Sequence, residues 1–493
     1  MAMVQHSNQP VEHKLISDVM HAHSAPEECG GRMGGVLAVD TIVAVATPAG
    51  QGGVALLRIS GAEAYAVAMR VVSVRRLAPR HATYCQFLSL SAEEGNEEAQ
   101  RVYIDDGVAT FFPAPHSYTG EDTVELSCHG SPYVQQALMR TVMAAGACMA
   151  EAGEFTRRAF MHGRLNLSQA EAVADLIEAT TPMQHRLAVS QLRGGYARHL
   201  SALRARLLDL ASLFELELDF TEEDVEFANR GELSALLAEL EGSVSTLLSS
   251  FAAGNALKLG VPVAIVGEPN VGKSTLLNAL VGDDRAIVSA TPGTTRDTVE
   301  ELLTVGEITF RMIDTAGLRA SDDEVERMGM ARSLQAVRSA AVVMLMGESR
   351  ESVKAVEDIL SAEVLQGKHV LRVLTKEDMS AHPQYGALGQ TNGWFRISAL
   401  MEMGLDELKE EMVQAVEHTA QGDVLLTNER HREALQRVEE ALHRTATGLR
   451  EGFPTDLVAI DMRDALFYLG SITGEVTTNE LLDNIFGRFC VGK

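Results

Sequence analysis

The chain has 493 residues, 46% of them hydrophobic and 22% charged, a composition that fits a globular protein of two to four domains. Its formal net charge of -26 argues against a surface coated for nucleic-acid binding, although a local basic patch is compatible with it. No apolar run reaches the roughly 18 residues that span a bilayer. Cys29, Cys85, Cys128, Cys148 and Cys490 show no Cys-x-x-Cys spacing, so neither a disulfide framework nor a zinc site is indicated, and a cytoplasmic protein is expected.

Residues 1–38 lack periodicity, an apolar signal core and Arg-rich transit character, and read as a poorly ordered extension. From Asp40 the pattern changes. Thr41–Ala46 and Gly53–Ser60 read as strands joined by the turn-rich Thr47–Gly52, a helix follows from Ala62, and Gly107–Phe112 and Thr123–Cys128 read as further strands. Residues 39–160 are therefore expected to form an N-terminal mixed α/β domain. Beyond them Leu203, Leu207, Leu210 and Leu213, then Leu233, Leu237, Leu240, Val244 and Leu247, recur at helical spacing. The acidic run Asp219–Glu226 between them reads as a solvated turn. Helical periodicity resumes with Leu435, Val438 and Leu442, then Leu457, Ile460, Ala465 and Leu469. Thr477-x-x-Glu480 reads as a capping box that opens a last helix. The economical expectation is one helical domain, 161–257 with 411–493, into which a nucleotide domain, 258–410, is inserted.

That insertion carries the strongest motifs. Val261–Val266 reads as a buried strand running into Gly267-Glu-Pro-Asn-Val-Gly272-Lys273-Ser274, with a helix opening at Ser274-Thr275. Strand, glycine loop and helix together give this spacing the context of a phosphate-binding P-loop. Backbone N–H groups converge on phosphate oxygens there, and the helix N-terminus adds partial positive charge. Lys273 supplies a cation, and the Ser274 hydroxyl is placed to ligate Mg2+.

Gly293-Thr294-Thr295-Arg296-Asp297 and then the strand Ile308–Ile313, ending in Asp314-Thr315-Ala316-Gly317, follow in the order of the GTPase motif set. Thr295 is the natural second side-chain ligand of Mg2+, Asp314 reaches the metal through water, and the Gly317 amide senses the γ-phosphate. Thr375-Lys376-Glu377-Asp378, after the strand Val370–Leu374, occupies the place of Asn-Lys-x-Asp. Asp378 keeps the carboxylate that accepts from guanine N1 and N2, whereas Thr375 replaces the asparagine, so one contact is lost or supplied differently. Ser398-Ala399, after the strand Trp394–Ile397, fits the last motif. GTP is the expected substrate. Leu318 stands where a water-orienting glutamine is usual, so another polar residue must orient water. Asn270 reads on residue type as a turn former. Its amide oxygen beside the phosphates also offers a ligand for a monovalent cation in place of an arginine finger.

From about Asp40 to Lys493 these elements resemble the MnmE (TrmE) family of tRNA-modification GTPases. The most specific pieces are Arg58-Ile-Ser60, Ser117-Tyr-Thr-Gly-Glu-Asp122 with Glu125 and His129-Gly130, and Gly153-Glu-Phe-Thr-Arg-Arg-Ala-Phe160. To these add Gly293–Asp297, Asp314–Arg319, Asp323–Arg327 and Phe489-Cys-Val-Gly-Lys493. A prenylation reading of Cys-Val-Gly-Lys fails, because Lys is a poor final residue and no polybasic stretch precedes it.

The resemblance implies a multidomain α/β and all-α fold: an N-terminal α+β folate-binding domain that dimerises, a helical domain, and an inserted Ras-like P-loop GTPase domain. It implies GTP contacts from Asn270, Val271, Gly272, Lys273, Ser274 and Thr275, and from Ser289, Ala290, Thr291, Pro292, Gly293, Thr294 and Thr295. Asp314, Thr315, Ala316 and Gly317, then Thr375, Lys376, Asp378, Ser398 and Ala399, complete that set. The G domains would pair around K+ held by Asn270, Ser289, Thr291 and Thr294, and Glu326 would position or activate water, beside Asn270 and Lys273. Arg58, Glu125, Arg164 and Lys493 would bind a tetrahydrofolate derivative, either 5-formyl- or methylene-tetrahydrofolate.

The implied reaction joins a carboxymethylaminomethyl or aminomethyl group to carbon 5 of the wobble uridine of certain tRNAs. The implied partner is MnmG (GidA), in a heterotetramer built on the homodimer, with no membrane. Cys490 is the candidate nucleophile, against the plainer reading of a structural cysteine near a helix end. Arg164 stands where the family carries a lysine, which keeps the charge and changes the donor geometry. A GTP-switched ribosome-assembly factor is the alternative, disfavoured by the acidic charge and the lack of a KH-type module. A dynamin-like mechanical GTPase is disfavoured by the lack of membrane-binding segments.

Overall fold

The computed structural model describes residues 40–89, 101–219, 230–282, 300–314, 333–379, 389–391, 393–417 and 425–493. The chain divides into two compact units, one formed by the residues up to Arg164 together with Thr478–Lys493, the other by Leu165–Thr477.

The first unit is built on a six-stranded sheet. Its strands are β1 (Ile42–Val45), β2 (Val54–Ser60), β3 (Thr83–Ser89), β4 (Val102–Phe112), β5 (Thr123–His129) and β6 (Cys148–Met149), in the order β3-β4-β5-β2-β1-β6. Only β1 and β6 pair in parallel. Alternation sends Ala55, Leu57 and Ile59 of β2 into a core with Val124 and Leu126 of β5. Helices α1 (Ala64–Val71) and α2 (Pro132–Ala144) close that face with Val67, Val71, Leu138 and Val142. The intervening residues, among them Arg58 and Glu125, point to the other face. β4 starts five residues before the expected Gly107, because a register shift opposite Phe87 and Leu88 breaks the alternation that marks a strand in sequence.

A short helix α3 (Glu154–Met161) follows, and the last helix of the chain returns to it. The sequence reading grouped 411–493 with the helical domain, whereas Thr478–Lys493 belongs to the first unit. The reason is packing: this last helix (Asn479–Phe486) buries Leu482, Ile485 and Phe486, and the Phe486 ring lies 6.4 Å from that of Phe160 on α3. Its cap also differs from expectation. Thr478, not Thr477, accepts a hydrogen bond from the Leu481 N–H at 3.2 Å.

The second unit begins with helices α4 (Leu167–Glu178) and α5 (Pro182–Leu192), then α6 (Gly195–Asp219), α7 (Arg230–Ser249) and α8 (Phe251–Leu259). After the inserted domain, α12 (Glu429–Glu451) and α13 (Thr455–Thr473) complete the bundle. Leu203, Leu207, Leu210, Leu237, Leu240, Leu435, Val438 and Leu442 meet in one core, as their spacing requires. On α13 the phase differs from the sequence reading. Leu457 and Ile460 are 49% and 53% exposed, and the buried stripe is Val458, Met462, Ala465, Leu469 and Ile472. Apolar residues lie on two faces of this helix, so spacing alone leaves open which face turns inward.

The inserted domain is a seven-stranded sheet in the order β12-β13-β11-β10-β7-β9-β8. Its strands are β7 (Val261–Gly267), β8 (Glu300–Val305), β9 (Ile308–Asp314), β10 (Val342–Gly347), β11 (His369–Leu374), β12 (Gly389–Thr391) and β13 (Trp394–Arg396). Only the outer pairs β8–β9 and β12–β13 are antiparallel. Every residue of β7 is buried, the near-continuous apolar run expected of a strand covered on both faces. Helices α9 (Lys273–Val281), α10 (Arg350–Leu365) and α11 (Leu405–Glu417) cover the sheet, giving a Ras-like P-loop fold. Among the described residues no helix is long and apolar enough to cross a membrane.

Both chain crossings into this domain are held by α4 and α5. Asp175 pairs with Lys258 at 2.8 Å just before β7, and the Gln184 amide donates to the Lys258 carbonyl at 2.9 Å. On the return, Gln191 donates to the Thr427 hydroxyl at 2.7 Å. Glu171 accepts both Arg430 Nε and Nη2, at 2.9 and 3.0 Å, and His431 Nε2 lies 2.7 Å away. The two crossings touch at Gly254, where an added Cβ would sit 2.4 Å from the Leu426 carbonyl.

Burial raises the Glu171 carboxyl, but His431 and Arg430 more than offset this and hold it below the usual carboxylate range. Burial pushes His431 below the usual imidazole range against the pull of Glu171. Both native pKa values are depressed, so the unfolded chain binds more protons on acidification. The stabilisation is complete above the unfolded imidazole value of about 6.5 and declines as pH falls, through the unfolded carboxylate value of about 4.3. Glu171→Ala, which leaves Arg430 without its buried partner, should cost about 3–5 kcal/mol. Thermal melts from pH 8 to 4 should show wild-type stability falling on acidification, and a steeper fall for the variant below about pH 6.5, where buried His431 has lost the carboxylate that pulls its pKa up; a flatter variant profile would contradict the assignment.

Candidate functional site

The nucleotide cradle grows out of β7. Gly267 is packed so that a Cβ would lie 2.6 Å from the Met346 carbonyl, and Gly272 takes a φ of +100° before α9 begins. Asn270 itself adopts φ 64°, the left-handed conformation that asparagine tolerates, so its turn-forming role is real. Lys273 is 9% exposed and folds back on the loop, its Nζ donating to the carbonyls of Gly267 and Glu268 at 3.2 and 3.0 Å. Burial lowers its pKa, opposed by the nearby Asp314. Asp314, at the end of β9, accepts from the Ser274 hydroxyl at 3.3 Å through Oδ2. Its Oδ1 is buried with no hydrogen-bond partner. A buried carboxylate oxygen left unsatisfied next to a hydroxyl is the donor set a hard divalent cation takes, so Ser274 and Asp314 fit Mg2+.

The base side of the cradle is made by the loops after β11 and β13. Thr375 is buried and its hydroxyl donates to the carbonyl of Val271 in the P-loop at 2.8 Å. Asp378 accepts from the Ser398 hydroxyl at 2.7 Å, which ties the two base-reading loops together. Lys376 pairs with Glu348. The structure thus brings Asn270–Thr275, Asp314, Thr375, Lys376, Asp378, Ser398 and Ala399 to one end of the sheet.

In the first unit a second constellation forms on the sheet face opposite α1 and α2. Arg58 and Glu125 face each other in the β2–β5 register and pair through Arg58 Nε and Nη2, at 3.0 and 2.9 Å, on one Glu125 oxygen. The Arg58 guanidinium lies 5.1 Å from the Tyr118 ring centre and 5.8 Å from that of Phe155. Burial raises the Tyr118 pKa although Thr156 and Arg58 pull it down. The last residues are laid across the start of α3: Ala152 bridges to Val491, and the Phe155 N–H donates to the Lys493 carbonyl at 3.2 Å. Arg164 is exposed and packs under Gly120, where a Cβ would lie 3.3 Å from its Cγ. Arg58, with Glu125 on it, and Arg164 thus lie beside Tyr118 and Gly120 of the loop Ser117–Asp122, while the Lys493 carbonyl meets the first turn of α3 at Phe155. Tyr118 and Phe155, the aromatic floor, were not singled out as site residues, because an aromatic in a strand-flanking motif carries no sign of facing a cation.

Two family models match the chain: the MnmE helical domain over residues 167–490, and the GTP-binding protein TrmE N-terminus over residues 41–164. The tRNA modification GTPase MnmE of Parabacteroides distasonis is 43% identical over 466 residues, covering 92% of this chain and 100% of that protein. The chain belongs to the MnmE family of tRNA modification GTPases. The Flavobacterium johnsoniae member is likewise 43% identical, over 470 residues, with 92% and 99% covered. GTP is accordingly the substrate of the P-loop site.

Within this MnmE framework several expected residues fall outside the described ones: Ser289, Ala290, Thr291, Pro292, Gly293, Thr294, Thr295, Thr315, Ala316, Gly317, Leu318 and Glu326. Cys490 is exposed and a free thiol, and its carbonyl accepts from the Gly153 and Lys493 N–H groups. The seating of this segment depends on Gly492, which has φ +99° and no room for a Cβ, 2.3 Å from the Val45 carbonyl. Gly492→Ala should strain the segment by about 1–3 kcal/mol. Hydrogen exchange should then show loss of protection at the Gly153 and Phe155 amides; unchanged protection would mean the segment is seated by other contacts.

Proposed function

We propose that this MnmE-family GTPase works with MnmG to add a carboxymethylaminomethyl or aminomethyl group to carbon 5 of the wobble uridine of certain tRNAs. The observation that carries the folate half of the reading is the pair Arg58–Glu125 over Tyr118 and Phe155, with Lys493 brought to the same helix end. A guanidinium fixed by a carboxylate above aromatic rings suits a flat heterocycle with donors and acceptors on its rim, and exposed Arg164 offers a second cation. A tetrahydrofolate derivative would supply the one-carbon unit there. On the same sheet, Val54 and Tyr84 are 64% and 69% exposed, which supports a homodimer through this face. That its relatives are tRNA modification GTPases supports tRNA as the substrate.

In the G domain Ser274 and Thr295 would hold Mg2+, while Asn270, Ser289, Thr291 and Thr294 would hold K+, both cations supplying positive charge against the phosphates. Lys273 would release the Gly267 and Glu268 carbonyls to meet the phosphate oxygens. Glu326 would orient the attacking water in place of Leu318, which cannot. Cytoplasmic localisation and assembly with MnmG as a heterotetramer follow from this role.

Nucleoside analysis of tRNA from a strain lacking the gene should show loss of the wobble-uridine modification; an unchanged profile would sink the reading. GTP turnover should be fast in K+ buffer and slow in Na+ buffer, with Asn270→Ala abolishing the difference. Equal wild-type rates in the two buffers would remove Asn270 from the K+ site. Glu326→Ala should bind GTP normally while turning it over at least about 100-fold more slowly, the usual scale for a lost acid–base group.

A further inference from the structure

The departure at Thr375 has a definite chemical content. An asparagine at this place offers two amide N–H donors and a carbonyl acceptor, whereas a threonine hydroxyl has one proton to donate. That proton is committed. The Thr375 Oγ1 lies 2.8 Å from the Val271 carbonyl and 3.4 Å from the Gly347 carbonyl, both acceptors, and the residue is 6% exposed. Its backbone N–H is also used, donating to the Gly347 carbonyl at 2.9 Å. The side-chain donor of the neighbouring residue, Lys376 Nζ, is paired with Glu348. Residue 375 therefore keeps the tie between base loop and P-loop and has no donor left for the nucleotide.

Guanine presents two kinds of edge. N1 and N2 carry donors, which a carboxylate reads, and Asp378 is oriented for that by the Ser398 hydroxyl on its Oδ1. N7 and O6 are acceptors and need a donor from the protein. We propose that Thr375 is a positioning residue which holds the base loop against the P-loop, and that guanine N7 goes unread by this loop. The proposal rests on the GTP reading of the site and refines it: an N7 contact, which adenine would share, has no part in choosing guanine, and nucleotides altered only at N7 are accepted as ligands.

The test is displacement of a fluorescent N-methylanthraniloyl-GDP from the full-length protein in Mg2+ by GDP and by 7-deaza-GDP, which lacks only the N7 acceptor. Wild type should bind the two within about twofold of each other. Thr375→Asn, which restores a second donor, should favour GDP over 7-deaza-GDP by about three- to tenfold, the scale of one neutral hydrogen bond. Thr375→Ser should match wild type. Thr375→Val, which removes the tie to Val271, should weaken both nucleotides equally, by about three- to tenfold. Wild-type preference for GDP of fivefold or more would overturn the proposal, as would a Thr375→Val variant that binds both like wild type. Should Thr375→Asn fail to fold, the wild-type ratio alone decides. No binding of the fluorescent nucleotide at all would instead overturn the GTP reading beneath it, so the two failures are distinguishable.

Discussion

One helix face carries the attachment on which the second unit depends. Glu171 and Asp175 lie four residues apart on α4, so their carboxylates project one above the other. Asp175 takes Lys258 at the point where the chain leaves the bundle for the G domain, and Glu171 takes Arg430 and His431 where it comes back. Neither pair is a loose surface contact: the side chains of Glu171 and Asp175 are 12% and 17% exposed. Placing a charge at such depth is tolerated because every one of them is matched, Arg430 further donating to the Ser471 and Ile472 carbonyls at the end of α13. Helix α5, next to α4, adds Met183 and Leu187 to the G-domain core. A helical hairpin thus holds both chain crossings and touches the sheet whose strand β9 ends at Asp314.

The two constellations are built by different physics. The P-loop relies on backbone: glycines at close approach, a helix start, and one lysine that meanwhile satisfies two loop carbonyls. The constellation on the first unit relies on side chains, a guanidinium held by one carboxylate over two rings. Backbone sites constrain sequence tightly, because only particular residues tolerate the required conformation. Side-chain sites leave the surrounding residues freer.

That difference explains what could be read in advance. Gly267–Ser274, Asp314 and Ser398 announced themselves because the chemistry dictates residue type and spacing over a short window. The helical core residues of α6, α7 and α12 were legible from period alone. The inward face of α13 was not, since Leu457 and Ile460 compete with Val458 and Met462 for the same period. Nor was the seating of the last helix in the first unit: the Arg157–Asp483 pair joins positions 326 apart, and nothing local in either stretch marks the other. The clasp of Glu171 by Arg430, 259 residues away, is hidden for the same reason. Arg58 and Lys493 were singled out by family resemblance and not by spacing, while the tie from Thr375 to Val271 had to come from the atoms.

Gly254 and Leu426 add a mechanical point. A domain joined by a single strand can swivel about its own bonds; one joined by two strands pressed together behaves as though mounted on a short axle. Here the two run so close that a single methyl group would not fit between them. The outgoing helix α8 and the returning segment are therefore pinned against each other at this point, and a side chain at 254 would force them apart.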